Sequence, residues 1–279
     1  MSLGIGNLID NRYELTDVIG QGQTTAVFKA RNKDHRRDVA VKVLNVRDGD
    51  HLEAKRFQQQ ARLNARILHP NVVQVFDYGI ADSGEPYIVY DLLNGTTLQA
   101  LIEKDGSQTA EKALSWTQQI LEALEIIHNQ KIVMRDLKPS NIFLAKYEHD
   151  REKPVLIDFR IAFLADNPDS QLTQMGEIVG TPTFISPEAC LGQIATCQSD
   201  LYSLGCTLYF MLLGEPPFWG KSMIDTMQMH TSQPPPSPSA KKPELKFLDH
   251  IVARALDKDP NSRYKNAQEM RLAIKSLGL

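Results

Sequence analysis

The stretch that most narrows the possible folds runs from Leu201 to Leu213, which is apolar around nearly its whole circumference when wound as a helix. Such a helix offers no face to water, so it belongs at the centre of a domain with other elements packed around it. It is too short to span a bilayer, and it carries Ser203, Gly205 and Thr207. A chain of 279 residues can supply the surrounding layers, as one large domain or two packed lobes. Apolar residues make up 42% and are spread throughout, which excludes disorder for the bulk of the chain.

Charge excludes another class. With 31 basic against 34 acidic residues and a net charge of −3, the chain is no general binder of nucleic acid or other polyanions. Met1 to Asp10 has neither a basic start nor a sustained apolar run, so no secretory signal opens it. Cys190, Cys197 and Cys206 cannot all pair with one another, and no zinc-like spacing surrounds them. They read as small buried or half-buried thiols in a reducing compartment. The expectation is a soluble, cytoplasmic, globular protein with no membrane segment.

Periodicity divides the chain. Residues 13–19, 25–30 and 38–44 alternate as strands, with Gly20-Gln-Gly22 between the first two. A helix is expected from about 50 to 68, stopped by His69-Pro70. Strands follow at 72–78 and 87–90, turning at Asp82-Ser-Gly84, and Asn94-Gly95 punctuates the run. Beyond it, 110–128 places Leu114, Ile120, Leu121, Leu124 and Ile127 on one helical face. Short strands are expected at 142–144 and 155–157, then a long polar loop, the buried helix, and amphipathic helices at 244–256 and 266–277. The proline-rich run 234–239 is a surface connection. This is an α+β layout, a strand-rich part to about Leu93 followed by a helix-rich one.

Three features carry chemistry. Gly20 and Gly22 let the backbone fold close over an anion, or they simply serve a hairpin turn. Lys42 interrupts Val39-Ala-Val-Lys-Val43, either as a snorkelling lysine at a sheet edge or as a phosphate ligand one strand downstream of the glycines. The decisive stretch is Met134-Arg-Asp-Leu-Lys-Pro-Ser-Asn141, followed by Ile157-Asp-Phe-Arg160. Asp136 can orient a hydroxyl and accept its proton. Lys138 can offset charge on a transferring phosphoryl group. Asn141 and Asp158 supply the oxygen ligands that Mg²⁺ prefers.

On these residues the sequence resembles the eukaryotic-like protein kinase family along almost its whole length. Val-Ala-Val-Lys42 is similar to the ATP-phosphate lysine strand, Arg135 to Asn141 to the catalytic loop, and Asp158-Phe159 to the metal-binding start of the activation segment. Gly180-Thr-Pro-Thr-Phe-Ile-Ser-Pro-Glu188 resembles that segment's end, with Glu188 paired to Arg263, and Ser199 to Gly205 resembles the central helix, with Asp200 bracing the catalytic loop. The Asp-Leu-Lys-Pro order and Thr181 resemble Ser/Thr kinases, and Ala255 to Pro260 is most similar to bacterial members. The resemblance implies a bilobal protein-kinase fold, with an N-lobe over 8–93 and a C-lobe over 94–279. It implies ATP and Mg²⁺ as cofactors, protein substrates, and a homodimer for autophosphorylation. Asp136 and Lys138 become the catalytic pair, and Asn141 and Asp158 the metal ligands. Ile19, Gly20, Gly22, Val27, Ala40, Lys42, Tyr90, Asp91 and Leu93 become the nucleotide-binding set, with 91–93 meeting adenine through its backbone. Arg135 would receive a phosphorylated residue of the activation segment, and among Ser170, Thr173, Thr181 and Thr183 the mid-loop Thr173 is the expected site. Thr181 would bond Asp136 and Lys138.

Four positions depart from the family pattern. Gln60 stands where a glutamate would pair with Lys42, Arg160 replaces a glycine, Met134 a histidine, and Thr25 the third glycine of the loop. Gln60 gives up a charge-assisted interaction worth about 1 kcal/mol or more. Gln60 and Arg160 are the features of the alternative reading, a pseudokinase that binds nucleotide or a partner and works by conformation.

Overall fold

Strands of alternating polarity at the start of the chain pair into one sheet, because each has an apolar face to hide. The computed structural model describes residues 3–45, 51–147, 151–158, 162–163 and 182–278. The chain divides into two compact units, Met1–Asn94 and Gly95–Leu279. The first holds β1 (Leu8–Ile9), β2 (Tyr13–Gln21), β3 (Thr25–Asn32), β4 (Arg37–Leu44), α1 (His51–Asn64), β5 (Val75–Ile80) and β6 (Pro86–Asp91). The sheet runs β1-β2-β3-β4-β6-β5. All its pairs are antiparallel. Its core face gathers Leu15, Phe28, Ala30, Val39, Val41, Val43 and Val89.

Helix α1 ends four residues earlier than expected. Pro70 restricts only His69. The chain has by then tightened into three-residue turns, Arg66 N–H to the Leu63 carbonyl and Ile67 N–H to that of Asn64, which carry Ile67 into the core. The following strand starts at Val75 rather than 72, since Val72 is still in the turn that bonds back to His69.

The second unit holds β7 (Gly95–Thr97), α2 (Leu98–Asp105), α3 (Ala110–Asn129), β8 (Ile132–Val133), β9 (Ile142–Tyr147), β10 (Arg151–Leu156), β11 (Ala162–Phe163), α4 (Pro187–Cys190), α5 (Cys197–Leu213), α6 (Met223–Ser232), α7 (Asp249–Ala255) and α8 (Ala267–Lys275). Helix α5 contains the apolar run 201–213, and it is buried from Ser199 to Leu212. Gly205 lets α7 close in on it: a Cβ there would stand 2.8 Å from that of Ala255. The expected helix 244–256 is two pieces, a 3₁₀ stretch at Pro243–Leu248 and then α7. Asp249 divides them by accepting from the Ser239 N–H and hydroxyl, at 3.0 and 2.5 Å.

Two buried charge pairs bind the second unit. Arg263 is 1% exposed and grips Glu188 through Nη1 and Nη2, at 2.8 and 2.9 Å, while Ser199 donates to the same carboxylate at 2.6 Å. Burial raises the Glu188 pKa, but Arg263 and Ser199 outweigh it and hold the group below its ordinary value. At the end of α3, His128 Nε2 meets Asp200 Oδ2 at 2.9 Å. Burial pushes His128 down, yet Asp200 and the neighbouring Cys197 overcome this and bring it up to about 9. All three cysteines are free thiols, with Cys206 buried and the others half-buried.

Two predictions follow from this packing. The raised His128 pKa contributes stability that is full below about pH 6.5 and lost as pH rises through about 9. Urea unfolding at pH 6 and pH 9 should show that loss in the native chain and a smaller one in His128→Gln; equal slopes would remove His128 as its source. In the first unit, Asn64 is 1% exposed, and neither polar atom of its amide has a hydrogen-bond partner among the described residues. Asn64→Leu should recover about 1–3 kcal/mol and raise Tm by several degrees. An unchanged or lower Tm in a thermal scan would count against an unpaired amide.

Candidate functional site

From Asp136 to Pro139 the segment after β8 alternates half-exposed and buried residues, and this separates packing from chemistry. Met134, Leu137 and Pro139 are buried, whereas Asp136 and Lys138 stay half-exposed. Two residues apart on extended backbone, they emerge on the same side, and Lys138 Nζ lies 2.8 Å from Asp136 Oδ2. Pro139 opens a single 3₁₀ turn that brings Asn141 back towards them. Its Nδ2 donates to the Asp136 carbonyl at 2.8 Å and to Asp136 Oδ2 at 3.2 Å. Both amide hydrogens are thereby directed at Asp136, which leaves Asn141 Oδ1 as the oxygen presented to a ligand. The Ile157 N–H donates to the Asn141 carbonyl at 3.1 Å, which sets the half-exposed Asp158 beside the same loop.

Asp200 holds this loop by its backbone. Its carboxylate accepts from the Met134 N–H at 2.9 Å and from the Arg135 N–H at 3.0 Å, besides His128. Arg135 adopts φ +63°, a left-handed conformation that costs a non-glycine residue about 1–2 kcal/mol. Two charge-assisted bonds offset that cost. Arg135 is half-buried, burial lowers its pKa, and its Nε has no hydrogen-bond partner among the described residues.

In the first unit the nucleotide-binding candidates fall into rows across the sheet. Gly20 lies opposite Val27, Val27 opposite Lys42, and Lys42 opposite Ile88. Ala40 pairs with Tyr90 one step along. Directly paired residues share a face, so these six line the face opposite Val39, Val41 and Val43. The sheet-edge reading of Lys42 is corrected here: β4 lies between β3 and β6, so Lys42 is in the sheet interior and half-buried. Ile19 is half exposed. Gly22 donates to the Thr25 carbonyl at 2.7 Å, and a Cβ at Gly22 would stand 3.0 Å from Thr25 Oγ1. Thr25, the departure at the third glycine position, therefore packs closely against the bare Gly22, and a side chain there would press on its hydroxyl. The Asp91 N–H is committed to the Gln74 carbonyl at 3.1 Å, and Leu93 follows β6 half-exposed. Gln60 lies on α1. Phe159, Arg160, Ser170, Thr173, Gly180 and Thr181 lie outside the described residues.

Sequence reasoning missed Ile88 and His128. Ile88 reads as one more apolar residue of a buried strand, and only the cross-strand register places it beside Lys42. His128 closes an amphipathic helix, a position that also suits an ordinary core histidine.

The donor set suits Mg²⁺, which typically takes one or two protein oxygens and completes its shell with phosphates and water. Among the described residues no cluster of three or more His, Cys, Asp or Glu side chains forms a separate metal site. No helix among them is long and apolar enough to cross a membrane.

The chain is 36% identical over 270 residues to serine/threonine-protein kinase PknB of Mycobacterium tuberculosis, and 37% identical over 273 residues to serine/threonine-protein kinase PksC of Streptomyces coelicolor. These alignments cover 94% and 95% of this chain but 42% and 48% of those proteins, so the chain spans less than half their length. Crystal structures of the Mycobacterium tuberculosis PknI kinase domain superpose with TM-scores of 0.76 and 0.77 at 24% identity, covering 99–100% of both chains, a likeness of fold. The family pattern described as "Protein kinase domain" matches residues 13–272, and this chain belongs to that family.

Proposed function

We propose that the chain transfers the γ-phosphoryl group of ATP to Ser or Thr hydroxyls of proteins. The observation that carries this is the convergence of Lys138 Nζ and Asn141 Nδ2 on Asp136, in a loop whose backbone Asp200 holds. Asp136 accepts the hydrogen of the substrate hydroxyl and aims its oxygen at the γ-phosphorus. Lys138 stays beside the same carboxylate and offsets charge on the equatorial oxygens in the transition state. Asn141 Oδ1 and Asp158 hold Mg²⁺, which when bound neutralises phosphate charge. Lys42 holds the α- and β-phosphates, and Gly20 and Gly22 cover them. Ile19, Val27 and Ala40 form the apolar roof over the base, with Tyr90 behind it. Because the Asp91 N–H is already committed to Gln74, the base is met by the Asp91 carbonyl and the Leu93 N–H. The same reading takes 8–93 and 94–279 as the two lobes of one catalytic domain. It includes a second copy of the chain as a substrate in autophosphorylation, with the reaction in the cytoplasm.

Arg135 gives this activity a regulatory handle. A half-buried guanidinium whose Nε has no partner among the described residues is set to receive a dianionic phosphate, with Thr173 as its carrier.

Purified chain, labelled ATP, Mg²⁺ and a generic basic protein provide the test, with Asp136→Asn alongside. Transfer should fall by at least about a hundredfold in that variant, the scale of losing a general base. No transfer by the native chain, together with Mg²⁺-dependent thermal stabilisation by ATP, would overturn the reading in favour of the pseudokinase. In the same assay Thr173→Ala should lose label from the chain and retain only part of its activity. Unchanged labelling and activity would remove Thr173 as the phosphosite.

A further inference from the structure

The proposed catalytic residues leave unused a buried hydrogen-bonded chain between α6, α5 and the loop after α7. His230 is 0% exposed, with Phe218 edge-on at 4.9 Å between centroids. Its Nε2 lies 3.1 Å from the Thr183 carbonyl, and its Nδ1 lies 2.9 Å from the hydroxyl of the fully buried Tyr202. Lys258 Nζ approaches the same hydroxyl at 3.4 Å and the Met229 carbonyl at 3.5 Å, over the face of Phe218. Burial and the Lys258 charge depress the His230 pKa to about 4, so near neutral pH the ring carries a single hydrogen.

A carbonyl can only accept, so that hydrogen is on Nε2. Nδ1 must then accept from Tyr202, and the Tyr202 oxygen in turn turns its lone pairs to Lys258. Every donor in the chain has one direction. Lys258 also offers its carbonyl to Arg263 Nη2 at 3.1 Å, and Arg263 grips Glu188. The loop 257–263 thus reaches the 182–188 segment at two points, Thr183 through His230 and Glu188 through Arg263.

We propose that His230 is a positioning residue for the polypeptide substrate, fixing the backbone of 182–186 through the Thr183 carbonyl so that a peptide meets a preformed surface. The polypeptide part rests on the kinase reading above, in which this segment continues from Thr181. His230→Phe keeps a ring against Phe218 and removes both polar atoms. His230→Gln retains an N–H that can reach the Thr183 carbonyl.

In steady-state assays of the full chain, His230→Phe should raise KM for a basic protein substrate about tenfold, the scale of one buried hydrogen bond. Its kcat and its KM for ATP should stay within about twofold of native, and Gln should restore most of the KM. Hydrogen exchange without ATP should show faster amide exchange across 182–186 in the Phe variant and near-native exchange in Gln. Should Phe fail to fold, Tyr202→Phe, which removes only the hydroxyl donor, should give a smaller rise in KM and in exchange. Native KM and exchange in the Phe variant would overturn the proposal, as would kcat and both KM values moving together with a lowered Tm. If the native chain transfers no phosphate, the kinase reading falls. The exchange pattern alone then decides whether His230 positions the segment.

Discussion

The proposed chemistry depends on one buried carboxylate. Asp200 takes hydrogen bonds from two successive backbone N–H groups of the loop and from His128, and all three bonds are 2.9–3.0 Å long. A carboxylate buried to 1% exposure is tolerable only when its oxygens are satisfied, and here the loop backbone and His128 satisfy them. The dependence is mutual, since the bonds to Asp200 offset the left-handed strain at Arg135. Through the loop backbone, α5 therefore sets the position of Asp136. That helix is itself held by being apolar on every side, so the opening feature of the sequence and the candidate active loop form one mechanical unit.

A second buried ion, Arg263, does similar work further along the chain. Pairing two charges in the interior gives little net stability against an apolar alternative, and removal of either partner is costly. What the pair provides is position. It fixes where 182–190 ends against the loop 257–263, and the same loop carries Lys258 into the Tyr202–His230 chain. Apolar contacts alone would let this segment slide, because dispersion is non-directional, whereas a bidentate guanidinium and a single-tautomer imidazole each allow one register.

Much of this was legible in the sequence, and the omissions have physical reasons. Long elements with strong periodicity, α3 and the strands β2 to β4, declare themselves because many residues vote for one face. Helices α2 and α6, 8 and 10 residues long, escaped because each buries only two side chains, Leu98 and Ile102 in the one and the polar Thr226 and His230 in the other, whereas α8 at 9 residues declares its face through Ala267, Met270 and Ile274. Their N-caps were nonetheless visible: Thr97 accepts from Ala100 and Ser222 from Asp225. The loop residues Asp136, Lys138 and Asn141 were legible because they are close in sequence and their spacing alone brings them together. Ile88, His128 and His230 were not. Each acquires its role from a partner on another element, and a tertiary contact leaves no local periodicity.

The first unit supports the proposed chemistry by a cost rather than by a contact list. An interior strand of a six-stranded sheet calls for β-branched or aromatic side chains, and β4 supplies valine at 39, 41 and 43 on its core face. On the other face it sets Lys42 between Val27 and Ile88. At an edge the stem of such a lysine could lie along the sheet with its ammonium in water. In the interior, strands on both sides restrict that escape, and a half-buried ammonium loses part of its hydration. Packing alone favours an apolar residue here. In the proposed reading a doubly anionic ligand above the sheet adds a further charge partner for this ammonium, and the paired strands on both sides hold the lysine stem in place for it.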